Sequence, residues 1–530
     1  MGPRKMRWSL IDCDYIVSLR RSRSTVLLVA TGCTVLLAVA IYVRTMAPTV
    51  TWRHGGSDSG DFITAAINLG VPHPTGYPLY TLIAHLFTAL PGAEPAWNVT
   101  FLSVVAAALA VGATFRAAYQ LIATQEGDTG ALTLTAAWAA ASVLAFGELL
   151  WSQATVAEVY SLNAFLVAIL LAVALSGSPR ARPYVLTLLF GLGLAHHVTI
   201  VWLLPALRPY LPAVRQWLTV RRSLRLGFCL LPGLLAYLYI PIRAAHHPVP
   251  NWGQADDLSG FIWLVSGAAY RQYLSALPAS HLLQRLSAWA GIWVRDFGVL
   301  GLALALMGVW RGLETDRRFT WSGLTYVLLL SGYAMLYVTI DSYLYLIPAA
   351  IIIALWMARG AAIVLHGLQD WARSGLRRHA VTVVALLTLA ALPLISIITR
   401  FQAMDLSVNY EAYAFAENVL EAAFPDAIVL SDGDTQTFPL WYLRYGLEKR
   451  PDVIVVDRRL LAFDWYRGEL ASQYPELSMV AETHDAQEAI ASLVQEAGLH
   501  QPVHLAYSDD FVLGLAAWAY QDPVFTLLRE

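Results

Sequence analysis

The stretch RHGGSDSGDFITAAINLGVPHPTGYPLY, residues 53–80, lies between two strongly apolar parts of the chain. It contains two carboxylates three residues apart, Asp58 and Asp61, and then a His-Pro-Thr-Gly-Tyr-Pro turn at 73–78. Ionisable side chains beside a membrane segment are costly unless they are paired or used. The stretch therefore predicts a polar loop with a chemical role next to a membrane span.

The composition indicates whether the chain is surrounded mainly by water or by lipid. It is 57% hydrophobic and only 14% charged, with a mean hydropathy of +0.54, whereas soluble domains carry roughly 25% charged residues. Apolar runs such as 24–43 and 343–358 reach or approach the ~20 residues that cross a bilayer. We predict a polytopic α-helical membrane protein. Its formal net charge of −2, and the lack of a basic-aromatic stripe, predict no nucleic-acid partner.

The basic residues before the first span, 24–46, place the N-terminus in the cytoplasm and the 53–80 loop outside. The next apolar segment, 77–90, decides the remaining topology because its fourteen residues are short for a span. If it lies in the interface, three basic loops fall inside, provided that 184–195 and 197–212 form a pair of short helices; if it crosses, they fall outside. The positive-inside rule therefore predicts an interfacial helix. The three loops are 176–183, 215–225 and 372–379.

This topology gives about eleven spans and places four loops, together with everything after residue 400, outside. The spans are 24–46, 98–122, 131–150, 159–175, 184–195, 197–212, 226–243, 289–312, 321–339, 343–365 and 380–398. The outer loops are 47–97, 151–158, 244–288 and 339–342.

The tail differs from the rest of the chain because charged residues are interspersed throughout it. Three apolar strand patterns alternate with helical patterns, which is typical of a small α/β domain with a largely parallel sheet. We predict a membrane domain at 1–400 and an extracytoplasmic α/β lid at 401–530. The predicted strands are 427–431, 452–457 and 503–507, and the helices are 410–422, 436–448, 459–473 and 485–497.

Asp58 and Asp61 share one face of a helix that starts near Ser59, and the opposite face is apolar. We therefore expect an interfacial helix whose two carboxylates face water. In one interpretation Asp58 only caps this helix. In the other, the two carboxylates, with Arg53 and the glycine pair at 55–56, form a ligand site. The residues alone leave both open.

Further polar side chains lie at the outer ends of predicted spans. Each has a local explanation, such as helix capping, snorkelling or anchoring in the interface, but their convergence on one face favours a common site. Cys13, Cys33 and Cys229 show no metal spacing. After the first predicted strand of the tail, Asp432 and Asp434 are either a ligand site or the turn and N-cap of the next helix. The outer polar groups are Glu158, Tyr160, His196, His197, Arg243, Asp341 and Tyr343.

The order of these motifs resembles the GT-C superfamily of membrane glycosyltransferases, which use polyprenyl-phosphate-linked sugars. Within it, the chain is similar to a family formerly described as a membrane domain of unknown function, which includes a eukaryotic endoplasmic-reticulum protein O-mannosyltransferase. That family more often has Glu at the position of Asp61. The resemblance is carried by DSGDFITAAINLGVPHPTGYPLY (58–80), WSQATVAEVYSL (151–162), PVPNWGQADDLSGFIWLVSGAAYRQY (248–273), DSYLYLIPA (341–349) and LSDGDTQTFPLWYLRYGLEKRPDVIVVDRRLL (430–461).

The resemblance implies inverting transfer of a sugar, in particular mannose, from a polyprenyl-phosphate donor to an acceptor hydroxyl. It makes Asp58 the base and Asp61 its support, with Arg243 and His196 or His197 on the phosphate side. A phosphate leaving group needs little Lewis-acid help, so no metal cofactor is predicted. Protein, lipid and cell-wall glycan acceptors remain open. The remaining expected substrate contacts are Arg53, His73, Glu158, Tyr160, Asp341 and Tyr343.

Two other classes of protein are less compatible with the sequence. A transporter would show two matching halves with charges near the midplane of the bilayer, and the sequence has no such repeat. A non-catalytic scaffold remains as an alternative, and it predicts that Asp58→Asn leaves function intact. The short loops and the lack of a retention signal favour a bacterial plasma membrane, with the site outside.

Overall fold

The computed structural model describes residues 10–126, 130–176, 181–210, 219–274, 277–372 and 375–528. The basic residues before position 10 and parts of the basic loops 176–183, 215–225 and 372–379 lie outside the described residues, as does the end of the predicted span 197–212. The first 404 residues supply sixteen helices among those described: α1 Leu10–Thr45, α2 Ser59–Asn68, α3 Pro78–Thr88, α4 Pro95–Glu126, α5 Ala131–Ala145, α6 Glu148–Ala154, α7 Tyr160–Leu175, α8 Arg182–Leu194, α9 Leu204–Leu207, α10 Val220–Ala236, α11 Tyr239–Ala244, α12 Leu258–Val265, α13 Leu282–Thr315, α14 Arg317–Leu336, α15 Ile347–Trp371 and α16 Gly375–Met404.

Seven described helical segments are long and apolar enough to cross a membrane. An eighth span arises if α5 and α6, which meet at 63°, are counted together. Helices α7 and α8 are apolar but shorter. The predicted number of eleven is therefore not confirmed. The seven are Ser24–Thr45, Pro95–Thr124, Val220–Ala244, Leu282–Thr315, Arg317–Leu336, Ser342–Trp371 and Gly375–Met404.

The predicted span 197–212 is not a continuous α-helix in its described part, although it runs along α14, with Trp202 beside Tyr333 and Tyr210 beside Phe319. The chain there forms a 3-10 helix, Val198–Leu203, then α9 of only four residues and a further 3-10 turn. Pro205 and Pro209 lie within this stretch. Because proline lacks an amide hydrogen and clashes with the preceding turn, it interrupts a continuous helix.

The centre of the membrane part consists of helices rich in small residues. In α4 and α15, respectively 83% and 89% of the most apolar window is buried inside the protein. Gly308 of α13 and Gly360 of α15 allow close helix contact, since a Cβ at Gly308 would lie 1.9 Å from the Trp356 carbonyl oxygen and one at Gly360 would lie 1.9 Å from that of Leu304. Small residues at such crossings let backbones approach in a membrane protein.

The first outer loop contains two short helices, as the sequence predicts, but α2 is not exposed to water. Its residues from Ser59 to Ala66 are buried, because α2 packs against the C-terminal domain. A Cβ at Gly60 would lie only 2.3 Å from the carbonyl oxygen of Phe438. The expectation that both carboxylates face water is therefore wrong for Asp61, which is fully buried. Helix α3, with eleven residues, is not among the segments that are long enough to span.

The C-terminal domain is an α/β unit with a mixed five-stranded sheet in the order β2-β1-β3-β5-β4. Strand β1 pairs in parallel with β2 and β3, at the three predicted positions, whereas β5 is antiparallel to β3 and β4. The hairpin of β4 and β5 was not predicted. The elements are α17 Glu411–Ala422, β1 Ile428–Ser431, α18 Asp434–Trp441, β2 Ile454–Asp457, α19 Asp464–Gln473, α20 Ala486–Gln495, β3 Val503–Leu505, α21 Asp510–Leu513, β4 Trp518–Gln521 and β5 Val524–Leu527.

The loops predicted to lie on one face meet at one end of the helical bundle. A parallel bridge joins Val71 to Asn251, and an antiparallel bridge joins Leu274 to Tyr337. The indole Nε1–H of Trp52 in the first loop donates to the carbonyl oxygen of Thr435 at 2.6 Å, so the C-terminal domain docks at the same end. The side of the membrane that this end faces stays a prediction.

Candidate active site

Asp58 is positioned by a tight 3-10 segment, Arg53–Asp58, that leads directly into α2. Within it His54 and Gly55 have positive φ angles of 59° and 73°, the left-handed region that favours glycine. Asp58 occupies the N-cap position of α2, yet its carboxylate accepts no capping hydrogen bond from the described amides. Its side chain keeps 30% exposure. The interpretation of Asp58 as a mere helix cap is therefore wrong.

A histidine connects the two aspartates of the opening motif. Nδ1 of His73 lies 2.7 Å from Oδ2 of Asp61, and Nε2 lies 3.7 Å from Oδ2 of Asp58. Asp61 also accepts the backbone N–H of His73 at 3.0 Å and the indole N–H of Trp252 at 3.1 Å. Because Asp61 only accepts, it fixes the proton on Nδ1 of His73 and directs Nε2 towards Asp58.

The charges of this pair suit proton transfer near neutral pH. Burial raises the pKa of Asp58 to about 7; His73 opposes this effect, and the carboxylates of Asp434 and Asp341 reinforce it. Burial alone would lower the pKa of His73, but the charge of Asp58 and the bond to Asp61 outweigh it and raise the value to about 9. At neutral pH the site therefore holds an imidazolium beside a carboxyl group that is about half ionised, a pKa range typical of a general base.

Two further acidic side chains lie close to Asp58. The hydroxyl of Tyr160 donates to Oδ2 of Asp341 at 3.3 Å. Glu158 is 2% exposed; its Oε2 accepts the N–H of Val159 at 3.3 Å, and its Oε1 has no hydrogen-bond partner among the described residues. Burial raises the pKa of Glu158 well above its usual value, and the charges of Asp58 and Asp341 add to this. The structure thus brings Asp58, Glu158 and Asp341 together.

Aromatic side chains near these carboxyl groups pack against one another in what we call the aromatic cluster: Tyr77, Tyr160, His197, Tyr333, Tyr337 and Tyr345. The ring centroid of Tyr345 lies 5.0–5.9 Å from those of Tyr160, His197, Tyr333 and Tyr337. The sequence pointed to Tyr343, but its ring makes none of the described contacts with this set. The two tyrosines lie two apart in a 3-10 helix, Ser342–Leu346, so they project in different directions.

His196 and His197 lie at this end of the bundle but do not supply positive charge. Nε2 of His196 donates to the carbonyl oxygen of Val159 at 2.9 Å, and Nδ1 of His197 accepts the hydroxyl of Thr199 at 2.8 Å. Burial lowers the pKa of His196 to about 4 and that of His197 to about 3. Both are neutral at physiological pH, so either could contact a phosphate only as a hydrogen-bond donor, and their expected place on the phosphate side stays a prediction.

The two arginines predicted for the site bind elsewhere. Arg243 donates from Nε to the carbonyl oxygen of Leu69 at 2.8 Å and from Nη2 to that of Asn68 at 3.0 Å. It therefore stabilises the C-terminal end of α2, opposite to the end that carries Asp58. Arg53 forms an ion pair with Glu411 at 3.0 Å and its side chain is 60% exposed. The expected roles of both in binding substrate are not supported by these contacts.

Sequence reasoning missed several residues that contact the Asp58–His73–Asp61 group. Trp252 donates to Asp61, and the rings of Tyr77 and Tyr270 lie 5.5 and 6.5 Å from that of His73. Two of them had a signal in the sequence, since Trp252 and Tyr270 lie in a polar outer loop, where large aromatic side chains are informative. Within the part of the chain that the structure describes, no three His, Cys, Asp or Glu side chains are placed to hold a metal ion.

Comparison with known proteins agrees with this architecture. The N-terminal domain of the protein O-mannosyl-transferase TMEM260 family matches residues 58–218, and TMEM260-associated domain 2 matches residues 412–490. ArnT from Cupriavidus metallidurans, solved with undecaprenyl phosphate, superposes with a TM-score of 0.52 over 94% of this chain and 97% of that one, at 12% identity. The chain has the GT-C fold. The family resemblance seen in the sequence is confirmed.

Two curated relatives match most of the chain. The protein O-mannosyl-transferase TMEM260 of Mus musculus is 28% identical over 451 residues, which is 79% of this chain and 62% of that protein. The corresponding protein of Dictyostelium discoideum is 24% identical over 492 residues, which is 82% of this chain and 58% of that protein. The chain thus spans about three-fifths of the length of these TMEM260 proteins.

Proposed function

We propose that this TMEM260-like chain is an inverting glycosyltransferase that moves mannose from a polyprenyl-phosphate carrier to an acceptor hydroxyl. The observation that carries the proposal is the arrangement of Asp58, His73 and Asp61, a partly exposed carboxylate beside a fixed imidazolium. The names of the relatives, protein O-mannosyl-transferases, support the sugar and the reaction class. The undecaprenyl phosphate bound to ArnT supports a lipid-linked donor.

Asp58 is the general base in this mechanism. Its carboxylate takes the proton of the acceptor hydroxyl while that oxygen attacks the anomeric carbon from the side opposite to the phosphate. The bond from the anomeric carbon to the phosphate oxygen breaks, its electron pair stays on the lipid phosphate, and the anomeric configuration inverts. A pKa of about 7 keeps a sufficient fraction of Asp58 ionised at neutral pH. The same pKa makes the ionised carboxylate basic enough to accept the proton of the acceptor hydroxyl.

The aromatic cluster is the proposed sugar-binding surface. Tyrosine faces pack against the apolar face of a sugar ring, and a few placed polar groups fix its orientation. Glu158, with a buried Oε1 that has no hydrogen-bond partner among the described residues, and Asp341, which accepts from Tyr160, are the groups we assign to sugar hydroxyls. A buried polar atom without a hydrogen-bond partner destabilises the protein, and a ligand that forms a hydrogen bond with this atom removes that cost.

We place this end of the bundle on the non-cytosolic side, because the basic segments of the chain then face the cytosol. Exposed apolar side chains on the adjoining surface, such as Leu283 and Ile340, suit the entry of a lipid tail from the bilayer. The proposed membrane is the bacterial plasma membrane. The preferred acceptor is a protein serine or threonine, with a lipid or cell-wall glycan as the alternative, and no metal ion is required.

The test is a transfer assay with purified protein in lipid nanodiscs, polyprenyl-phosphate-mannose and hydroxyl-bearing peptides. We expect transfer with inversion in the wild type, in the presence of EDTA as well. We expect at least a 100-fold loss of kcat in Asp58→Asn, whereas Ser57→Ala serves as the matched neighbour and keeps activity. Equal transfer by the wild type and Asp58→Asn would exclude the assigned base, and no transfer by either would favour a non-catalytic scaffold.

A further inference from the structure

The C-terminal domain brings a carboxylate of its own to the site. Asp434 is the first residue of α18 and follows the loop after β1. Two contacts on the same helix fix its position: Thr435 accepts the Trp52 indole N–H at 2.6 Å, and the backbone of Phe438 abuts α2 at Gly60. No side chain longer than glycine fits at that crossing without displacement, so α18 is held rigidly against α2.

Asp434 and its neighbour Asp432 differ in what they face. Asp432 is bound by Arg458 and Arg459, at 2.9 and 2.7 Å from its Oδ1. Asp434, in contrast, is an exposed residue, and its charge acts on Asp58 and His73. The surrounding protein nevertheless removes much of the water around its carboxyl group, which raises the pKa of Asp434 to about 6.

The titratable groups that act on Asp434 come from four elements. Behind it lie Asp457 at the end of β2 and Arg459, while His73 and Asp61 act on it from the first outer loop. In return, the negative charge of Asp434 raises the pKa of Asp58, that of His73 and that of Tyr270. The C-terminal domain therefore acts electrostatically on the proposed base and on its histidine partner.

We propose that Asp434 is a positioning residue of the transferase site, whose carboxylate faces the Asp58–His73 pair across the contact between α2 and α18 and stabilises the positive charge of His73. The proposal rests on the proposed function. It means that the C-terminal domain completes the site and does not merely cover it. A carboxylate near an imidazolium favours the charged form, so the proton of His73 is retained while Asp58 exchanges its own.

The direction of the effect follows from the charges. Asp434→Asn removes a negative charge, so the pKa values of Asp58 and His73 both fall. Both limbs of the pH profile of kcat/KM then move to lower pH, by about half a unit for a charge that acts through the site. Asp434 carries its negative charge mainly above about pH 6. The two limbs of the profile, near pH 7 and pH 9, lie in this range, so the loss of that charge affects both. The activity of the variant relative to the wild type rises as the pH falls.

The experiment compares full-length wild type, Asp434→Asn and the matched control Asp432→Asn from pH 5 to 10, with Asp434→Glu as the conservative rescue. We expect both limbs to shift in Asp434→Asn, to return towards wild type in Asp434→Glu, and to stay in place in Asp432→Asn. If activity falls by the same factor at every pH, or if the control shifts equally, Asp434 has only a structural role. Asp434→Ser replaces the asparagine variant if the latter does not fold.

A second readout separates this inference from the proposed function. The midpoint of the His73 ring titration, measured by NMR on histidine-labelled protein and assigned with His73→Asn, requires no sugar transfer. A lower midpoint in Asp434→Asn supports the inference even if no variant transfers mannose. An unchanged midpoint in a protein that transfers mannose normally overturns the inference and leaves the function in place.

Discussion

Oδ2 of Asp58 and Nε2 of His73 face each other at 3.7 Å. This separation is longer than a hydrogen bond, so the imidazolium acts on Asp58 through its charge without occupying the lone pairs of the carboxylate. Asp61, at 2.7 Å from Nδ1 of the same ring, holds the histidine in place. The partly exposed carboxylate of Asp58 thus remains available to a substrate hydroxyl.

The pH dependence of transfer should be bell-shaped. Asp58 must be ionised to act as base, so kcat/KM rises with pH through about 7; His73 must be protonated, so kcat/KM falls above about 9. The measurement is kcat/KM from pH 5 to 10. In His73→Asn the alkaline limb should disappear, and a profile that keeps this limb would contradict the assignment.

Asp61→Asn should lower both activity and stability. Asp61 is fully buried and accepts three hydrogen bonds, two from His73 and one from Trp252. Removing one partner of a buried charged pair costs about 3–5 kcal/mol, so the thermal midpoint should fall clearly, as measured by tryptophan fluorescence. The matched variant Trp252→Phe removes a single bond and should cost less. Equal midpoints for Asp61→Asn and wild type would contradict the observed bonding.

Glu158→Gln should keep most of its transfer activity, within about tenfold, while Glu158→Ala should lose 100-fold or more. Burial raises the pKa of Glu158 well above its usual value, which favours the neutral form of the side chain, and an amide of the same shape resembles that form. The measurement is kcat and KM for the lipid-linked donor. If both variants lose activity equally, the carboxyl group is needed in its ionised form.

Arg243→Ala should destabilise the protein by about 1–2 kcal/mol without changing KM for the donor. Its guanidinium binds the carbonyl oxygens of Asn68 and Leu69 at the end of α2, where a cation offsets the helix dipole. Arg53→Ala, which removes an exposed ion pair with Glu411, should cost less than about 1 kcal/mol. A large rise in donor KM for Arg243→Ala would restore its predicted role at the phosphate.

Gly60→Ala should weaken the docking of the C-terminal domain and reduce transfer. The new Cβ would lie 2.3 Å from the carbonyl oxygen of Phe438, and overpacking of this kind costs about 1–3 kcal/mol. Gly332→Ala is the matched control, because no other described atom comes within 4 Å of its Cβ position. Protease sensitivity at the junction near residue 405 reports the docking, and equal sensitivity of the two variants would contradict it.

Local pattern was sufficient for much of the fold and for part of the site. Apolar length identified most spans, alternation of strand and helix patterns located β1, β2 and β3, and the charge argument brought the polar loops to one end of the bundle. The acidic pair at 58 and 61 lies in the loop that forms the candidate site together with His73. These features depend on residues close in sequence, whose periodicity and charge act directly on local structure.

The tertiary structure decided which of those polar residues share a site. Asp61 became buried and Arg243 was drawn to the end of α2, because α18 packs over Gly60 and the loop with Trp252 pairs beside Val71. Asp434 reaches the site from a domain more than 350 residues away in the chain. Such partners depend on packing between distant segments, and the charge that each group carries depends on the burial that this packing creates.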